Sequence, residues 1–521
     1  MAKSRLFRST MIVSSMTMLS RILGLVRDVV LLGVFGAGGL MDAFVMAFKI
    51  PNFLRRLFAE GAFSQAFVPV LSEYKEKYSI KEVQILISRT SGVLSLILFI
   101  LTVVVIILAP QVMGIFGGGF TDEPVKFNTA TDLLRLTFPY LFFISMTAFA
   151  GSILQSYGKF AAPAFAPVLL NLCMIGAALI IAPMMAKPIM ALGYAVAISG
   201  LLQLLIQLPQ LWQQRLLVLP KIDFKHEGVQ RILKLMLPAI FGVSVTQINL
   251  LINARFASEM IDGSVSWMYA AERLSELPLG LIGIAIGTVI LPSLSKSEAQ
   301  KNGDNFIKTL DWAARLIFLV GLPAASAMFV LADVFIQALF MRGEFTLEDT
   351  KMAGFALRCL SGGILGFMLI KIFAPAFFAR QDTKTPVKVG IISVIANIVF
   401  SVVFVALFYY VLKLPLHGGL ALATTSASFV NAGLLYFLLH KRNIFRFGKH
   451  WQKLFAQFII ATTAMVAALY LLLGYFPVGG TTHSDQIMRI VAIIGLCIAG
   501  AAVYAIVLLA TGFRPHQLKH G

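Results

Sequence analysis

The chain reads as an all-α polytopic membrane protein with about fourteen transmembrane helices, and three observations carry that reading. Apolar runs of about 20 residues recur from end to end, long enough to cross a bilayer as helices. Charged residues make up 13% of the chain, against roughly 25% in a soluble domain, and mean hydropathy is +0.87. No polar stretch remains that is long enough to build a separate soluble domain. The net charge of +19 does not point to nucleic acid. The Lys and Arg outside the apolar runs fall in short loops between them, the pattern of the positive-inside rule.

The first span, near 10–35, follows a basic N-terminal stretch and is interrupted by Arg21 and Arg27. No small-residue cleavage site follows, so it reads as an uncleaved span rather than a signal peptide. The second, 42–71, is too long for a straight crossing. Pro51 within it removes a helix hydrogen bond and should kink it. Apolar runs then place spans at 84–109, 133–156, 162–182, 189–212 and 235–257. The eighth, 265–294, starts outside and holds Ser266, Glu272, Arg273 and Glu276 in its outer half. The rest lie at 311–330, 352–378, 389–411, 418–439, 454–475 and 487–511. Asp333, Arg342, Glu344, Glu348 and Asp349 make 331–351 a long outside loop with an apolar stretch.

Loop charge sets the orientation. The N-terminus, the even-numbered loops and the C-terminus hold 25 Lys and Arg, and the opposite loops hold 5. The rich side is cytoplasmic, which puts both termini inside and requires an even number of spans. The chain also echoes itself. Pro69 and Pro292 close the second and eighth spans, Pro163 and Pro386 stand at the fifth and eleventh, and both pairs are 223 residues apart. A parallel duplication of six helices follows, with the substrate expected between the halves. The expected division is an N-lobe at 1–215, a C-lobe at 216–445 and a terminal helix pair at 446–521.

Thirteen of the forty-three Lys and Arg residues lie inside spans. A cation at the bilayer centre costs about 2.5–3.5 kcal/mol on insertion scales, so such residues usually face a polar cavity and serve function. Arg21 and Asp28 are seven apart, near one helical face, with Arg27 rotated by about 120° from Arg21. Gly24 between them allows close approach or a bend. Lys49 and Arg55 have no local acid, whereas Arg56 and Glu60 can pair at i,i+4. Glu272 and Glu276 can hold Arg273 or cations of the first two spans. With antiparallel span directions, Arg27, Lys49 and Arg273 fall at similar depth. Such a cluster suits a diphosphate, because guanidinium presents forked donors to phosphate oxygens. The opposing reading is that these charges pair with acids as structural glue, but Asp28 and Asp42 offset only part of the cation load.

Other features are weaker. Cys173, Cys359 and Cys497 sit in separate apolar runs and read as packed residues. The histidines show no metal spacing, so no metal or other cofactor is expected. Gly117-Gly118-Gly119 reads as a turn, and no G-x-x-x-x-G-K-[ST] loop marks an ATPase. The expected protein is not an enzyme.

The residues resemble a known family. Ser20-Arg21, Gly24 and Arg27-Asp28 are followed by Asp42-Ala43-Phe44, Lys49, Pro51-Asn52 and Arg55-Arg56. Phe58-Ala59-Glu60-Gly61-Ala62-Phe63-Ser64 and Phe67-Val68-Pro69 come next, then Gly263-Ser264-Val265-Ser266-Trp267-Met268-Tyr269 and Arg380-Gln381-Asp382-Thr383-Lys384-Thr385-Pro386. Together they closely resemble the MurJ (MviN) lipid II flippases, over about residues 10–512. The resemblance implies two six-helix lobes around a central cavity plus two C-terminal helices, in the multidrug/oligosaccharidyl-lipid/polysaccharide exporter superfamily. It implies movement of the undecaprenyl-diphosphate-linked disaccharide-pentapeptide between leaflets of a bacterial inner membrane, for peptidoglycan synthesis. By motif position, its essential cavity arginines fall on Arg21, Arg27 and Arg273, and its other sensitive charged or gating positions on Asp42, Arg55, Glu60 and Ser266. Glu272 stands where the family often has Asp. The sodium site of some relatives is not convincingly matched, so monovalent ions stay open as partners.

The expected substrate-binding set is therefore Arg21, Arg27, Arg273, Lys49 and Arg55, with Asp28, Asp42, Glu60, Ser266, Glu272 and Glu276 as gating or charge partners. Lipid II and membrane lipids are the expected partners, and nucleic acid is not. Two alternatives stand: a flippase for another polyprenyl-diphosphate oligosaccharide, and a cation-coupled drug exporter. The exporter would favour acidic and aromatic cavity residues.

Overall fold

A computed structural model describes residues 2–57, 63–280, 284–475 and 483–514. The chain is 85% helix, and no strand occurs among the described residues. Nine described helices are long and apolar enough to cross a membrane, or ten if one bent pair is a single span. Composition alone therefore does not fix the expected number of fourteen.

Two expected spans are described in two parts each. The span at 42–71 is Gly39–Arg55 followed by Phe63–Lys77, and the span at 265–294 is Ser264–Pro278 followed by Ile284–Ala299. Residues 58–62 and 281–283, between the members of each pair, lie outside the described residues. The helix Gly39–Arg55 continues through Pro51. The expected first and seventh spans lie within Ala2–Phe35 and Glu227–Ser258. The expected outside loop at 331–351 contains a nine-residue helix, Ala332–Phe340, with Ile336 and Phe340 buried. Its scattered charges hid this short element.

The offset of 223 residues runs through the whole helix order. Ala2–Phe35 is matched by Glu227–Ser258, Gly39–Arg55 by Ser264–Pro278, and Ile80–Ile107 by Gly303–Val330. Ala109–Phe116 is matched by Ala332–Phe340, and Ala161–Gly176 starts 223 residues before Lys384–Leu407. The starting caps obey the same register. Ser79 accepts from the Glu82 N–H at 3.5 Å, and Asn302 accepts from the Asn305 N–H at 3.0 Å. Short polar side chains at this position satisfy a helix's first N–H groups.

One matched pair differs. Pro124–Ser156 passes as one span of 33 residues through Pro139. Its counterpart, Leu347–Ser361 with Gly363–Ala379, bends by 40° at Gly362, the position matched to Pro139. Small residues line that bend. A Cβ on Gly363 would lie 3.0 Å from Thr425 Oγ1, and one on Gly366 would lie 2.3 Å from Ser428 Oγ.

The chain forms two compact units, Met1–Ser266 and Trp267–Gly521. In the second unit, the terminal helices His450–Leu473 and His483–Ala510 pack on each other. Trp451 Nε1 donates to Asp311 at 2.6 Å and the Tyr504 hydroxyl donates to the Leu319 carbonyl at 2.9 Å, fixing both helices to Gly303–Val330.

Candidate functional site

Arg27 and Asp28 are both buried in Ala2–Phe35. Arg27 Nη2 and Nε donate to Asp28 Oδ1 at 2.6 and 2.9 Å, and Nη1 donates to Asn171 Oδ1 at 3.1 Å. Burying a charge is tolerable only when it is paired and hydrogen-bonded. Asp28 thus serves its neighbour Arg27, although spacing had placed it nearer the face of Arg21. Arg21 is exposed. Asn171 comes from Ala161–Gly176, the helix packed alongside, and also donates through Nδ2 to the Ser20 carbonyl at 3.0 Å. A Cβ on Gly24 would lie 3.8 Å from this amide, which is ordinary contact, so Gly24 is not forced by close approach. Sequence reasoning missed Asn171. Its signal was a lone amide in an apolar run.

Gly39–Arg55 carries the next expected residues. Lys49 and Arg55 are half-buried, and Arg55 Nε donates to Asn52 Oδ1 at 2.9 Å. Arg56 Nη1 donates to Gln247 Oε1 at 3.2 Å. Glu60, its expected partner, lies outside the described residues.

Asp42, at the start of the same helix, is buried. Its Oδ1 accepts from the Ser266 N–H at 2.8 Å and from Ser266 Oγ at 2.6 Å, and its Oδ2 accepts from the Gly263 N–H at 2.8 Å. Gly263 has φ +93°, a conformation that glycine adopts without strain. The neighbouring turn is held as well. Lys126 pairs with Asp262, and its ammonium sits 4.4 Å from the centroid of the Phe120 ring. The glycine triplet, read as a plain turn, cradles the end of Glu227–Ser258. A Cβ on Gly119 would fall 2.0 Å from the Ser258 carbonyl oxygen.

In the second unit, Arg273 Nη1 donates to Glu276 at 3.4 Å and the guanidinium lies 5.7 Å from the Tyr269 ring centroid. Glu272 is half-buried and Glu276 exposed. Among the expected residues, Arg27 thus bonds Asp28, Asp42 bonds Ser266 and Arg273 bonds Glu276.

Duplicated bundles of apolar helices, with buried charged groups held by amides and carboxylates, define a polytopic membrane transporter. The family described as "Lipid II flippase MurJ" matches residues 32–491. A probable lipid II flippase MurJ of Haemophilus influenzae is 45% identical over 96% of this chain and 99% of its own length. A solved lipid II flippase MurJ in an inward closed conformation has a TM-score of 0.79 at 26% identity, covering 95% of this chain and 98% of that one. An inward-facing multidrug resistance MATE family transporter of the MOP superfamily shares the fold, with a TM-score of 0.66 at 16% identity over 83% of this chain and 98% of that one. The chain belongs to the MurJ lipid II flippase family.

Proposed function

We propose that the protein moves undecaprenyl-diphosphate-linked peptidoglycan precursor from the inner to the outer leaflet of the bacterial cytoplasmic membrane, by alternating access and without enzymatic chemistry. The observation that carries this reading is the buried Arg27–Asp28–Asn171 group within a chain of this family. Asp28 keeps Arg27 neutralised while the site waits. An arriving diphosphate competes for the guanidinium with charge-assisted, forked hydrogen bonds. Arg21, Arg273, Lys49 and Arg55 complete the cationic set.

Asp42 with Ser266 acts as the outer gate, supported by Glu272, Glu276 and Glu60. The six-plus-six lobes at 1–215 and 216–445, the terminal pair at 446–521, fourteen crossings and cytoplasmic termini belong to this reading, and the 223-residue register supports the repeat of the two lobes. The prenyl tail stays in lipid, along the terminal pair. An inside-negative potential favours outward movement of an anion by about 2.3 kcal/mol per charge per 100 mV, which supplies a drive without ATP. A contribution from monovalent ions remains part of the proposal to be measured.

The test replaces Arg21, Arg27 or Arg273 with Ala in cells depleted of their native flippase. Loss of growth and of lipid II exposure at the outer leaflet is expected. Normal exposure with all three variants would remove the proposed site. Binding of purified protein to defined polyprenyl-diphosphate lipids distinguishes one head group from another.

A further inference from the structure

Ser266 and Trp267 are adjacent, yet their side chains are held by different carboxylates. Ser266 gives its N–H and hydroxyl to Asp42. Trp267 Nε1 donates to Asp349 Oδ1 at 2.8 Å, and both of those residues are buried. The two bonds act on the first turn of Ser264–Pro278.

That turn lacks a side-chain cap of its own, because glycine stands at position 263. An N-cap side chain normally accepts from the N–H of the third helical residue. Here Ser266 is the third residue, and Asp42 does the accepting from 224 positions away. The cap is therefore detachable. Any motion that parts Asp42 from Ser266 uncovers the N–H groups at the start of this helix, which then need another restraint to keep their geometry.

Asp349 is built to supply that restraint. Its Oδ2 accepts from the Thr346 N–H and hydroxyl, each at 2.8 Å, in a capping box that starts Leu347–Ser361. Its Oδ1 is left to the indole. The Trp267 ring is backed by His417 at a centroid distance of 5.2 Å, and His417 is itself buried and bonded to the Met352 carbonyl at 2.9 Å. The socket is tight, since a Cβ on Gly418 would fall 2.2 Å from the Phe355 ring.

We propose that Trp267 and Asp349 are positioning residues for the outer gate. They hold the first turn of Ser264–Pro278 in shape when Asp42 releases it, so that the Asp42–Gly263–Ser266 contacts break and re-form as one step. This rests on the reading of Asp42 and Ser266 as a gate. Without the indole bond the turn frays, the cap re-forms less completely, and the gate stands open for a larger share of time.

The experiment uses the full chain in cells, with Cys173, Cys359 and Cys497 replaced by Ala and Ser264→Cys as reporter. Ser264 is buried and its hydroxyl has no partner among the described residues, so the thiol costs no bond. A membrane-impermeant maleimide is offered from outside. Trp267→Phe keeps a ring against His417 but removes the donor, and Asp349→Asn turns an amide towards either the indole or the Thr346 N–H. Both should speed labelling about tenfold or more, the weight of one bond to a charged acceptor, while each variant still melts as a folded protein. Thr346→Val removes the hydroxyl from the cap but leaves the indole bond, and should label at the parent rate. Unchanged labelling in Trp267→Phe and Asp349→Asn overturns the proposal, and so does an equal rise in Thr346→Val, which would reduce Asp349 to a loop cap. The labelling reads the gate whatever the cargo. If lipid II exposure is normal in the Arg21, Arg27 and Arg273 variants while labelling responds as expected, the substrate reading fails and this one stands.

Discussion

Asn171 accepts from Arg27 and donates to the Ser20 backbone, so one buried amide ties a guanidinium to the helix that carries it. Both ends of the amide are in use. Asn171→Leu is expected to leave the Ser20 carbonyl and one Arg27 donor without that partner, costing about 1–3 kcal/mol. Thermal unfolding in detergent checks the loss of stability, and lipid II exposure checks the loss of transport. Asn171→Asp, which keeps an acceptor for Arg27, should retain more of both than Leu does.

Asp42→Ala removes the acceptor of three hydrogen bonds, whereas Ser266→Ala removes only one donor. The first should destabilise by about 2–4 kcal/mol and the second by about 1 kcal/mol, because orphaned buried groups cost more than a missing one. Comparable melting temperatures for the two variants would contradict the capping role given to Asp42.

Gly119 and Gly114 offer a matched pair of substitutions. A Cβ at 119 meets the Ser258 carbonyl at 2.0 Å, while one at 114 meets nothing within 4 Å. Gly119→Ala should force the backbone apart and cost about 1–3 kcal/mol. Gly114→Ala, inside Ala109–Phe116, should be neutral or stabilising by up to about 1 kcal/mol. Denaturation of the two purified variants, side by side, is the measurement.

Asp382 provides a dependence on pH. Partial burial pushes its carboxyl up, but the Thr385 hydroxyl, Arg442 and the Thr385 N–H together hold it down at about 2. A depressed carboxylate contributes stability that is present above its usual value near 4 and is lost as pH falls towards 2. Asp382→Asn should therefore flatten the fall in melting temperature between about pH 4 and pH 2. Because the pair with Arg442 is largely solvated, the expected change is small.

Much of this architecture is legible in the sequence. Two proline pairs gave the 223-residue offset, and Ser79 with Asn302 shows the same offset written into helix caps. Buried cations stood out because charge is rare in these apolar runs. What stayed hidden depends on tertiary neighbours. Asn171 gives no periodic signal, and the partnership of Asp42 with Gly263 spans 221 residues. Gly119 reads as turn chemistry until the Ser258 backbone is seen against it.

The contrast between Pro139 and Gly362 has a structural consequence. Proline fixes its own φ and has no N–H to give, and Pro139 opens Pro139–Ser156 at a position where that donor is not needed. Gly362 keeps its donor and sits in right-handed helical geometry, φ −58° and ψ −35°, so the 40° bend there requires no strained residue. One register is thus interrupted in two ways, by a residue that cannot donate in the first segment and by one that can in the second.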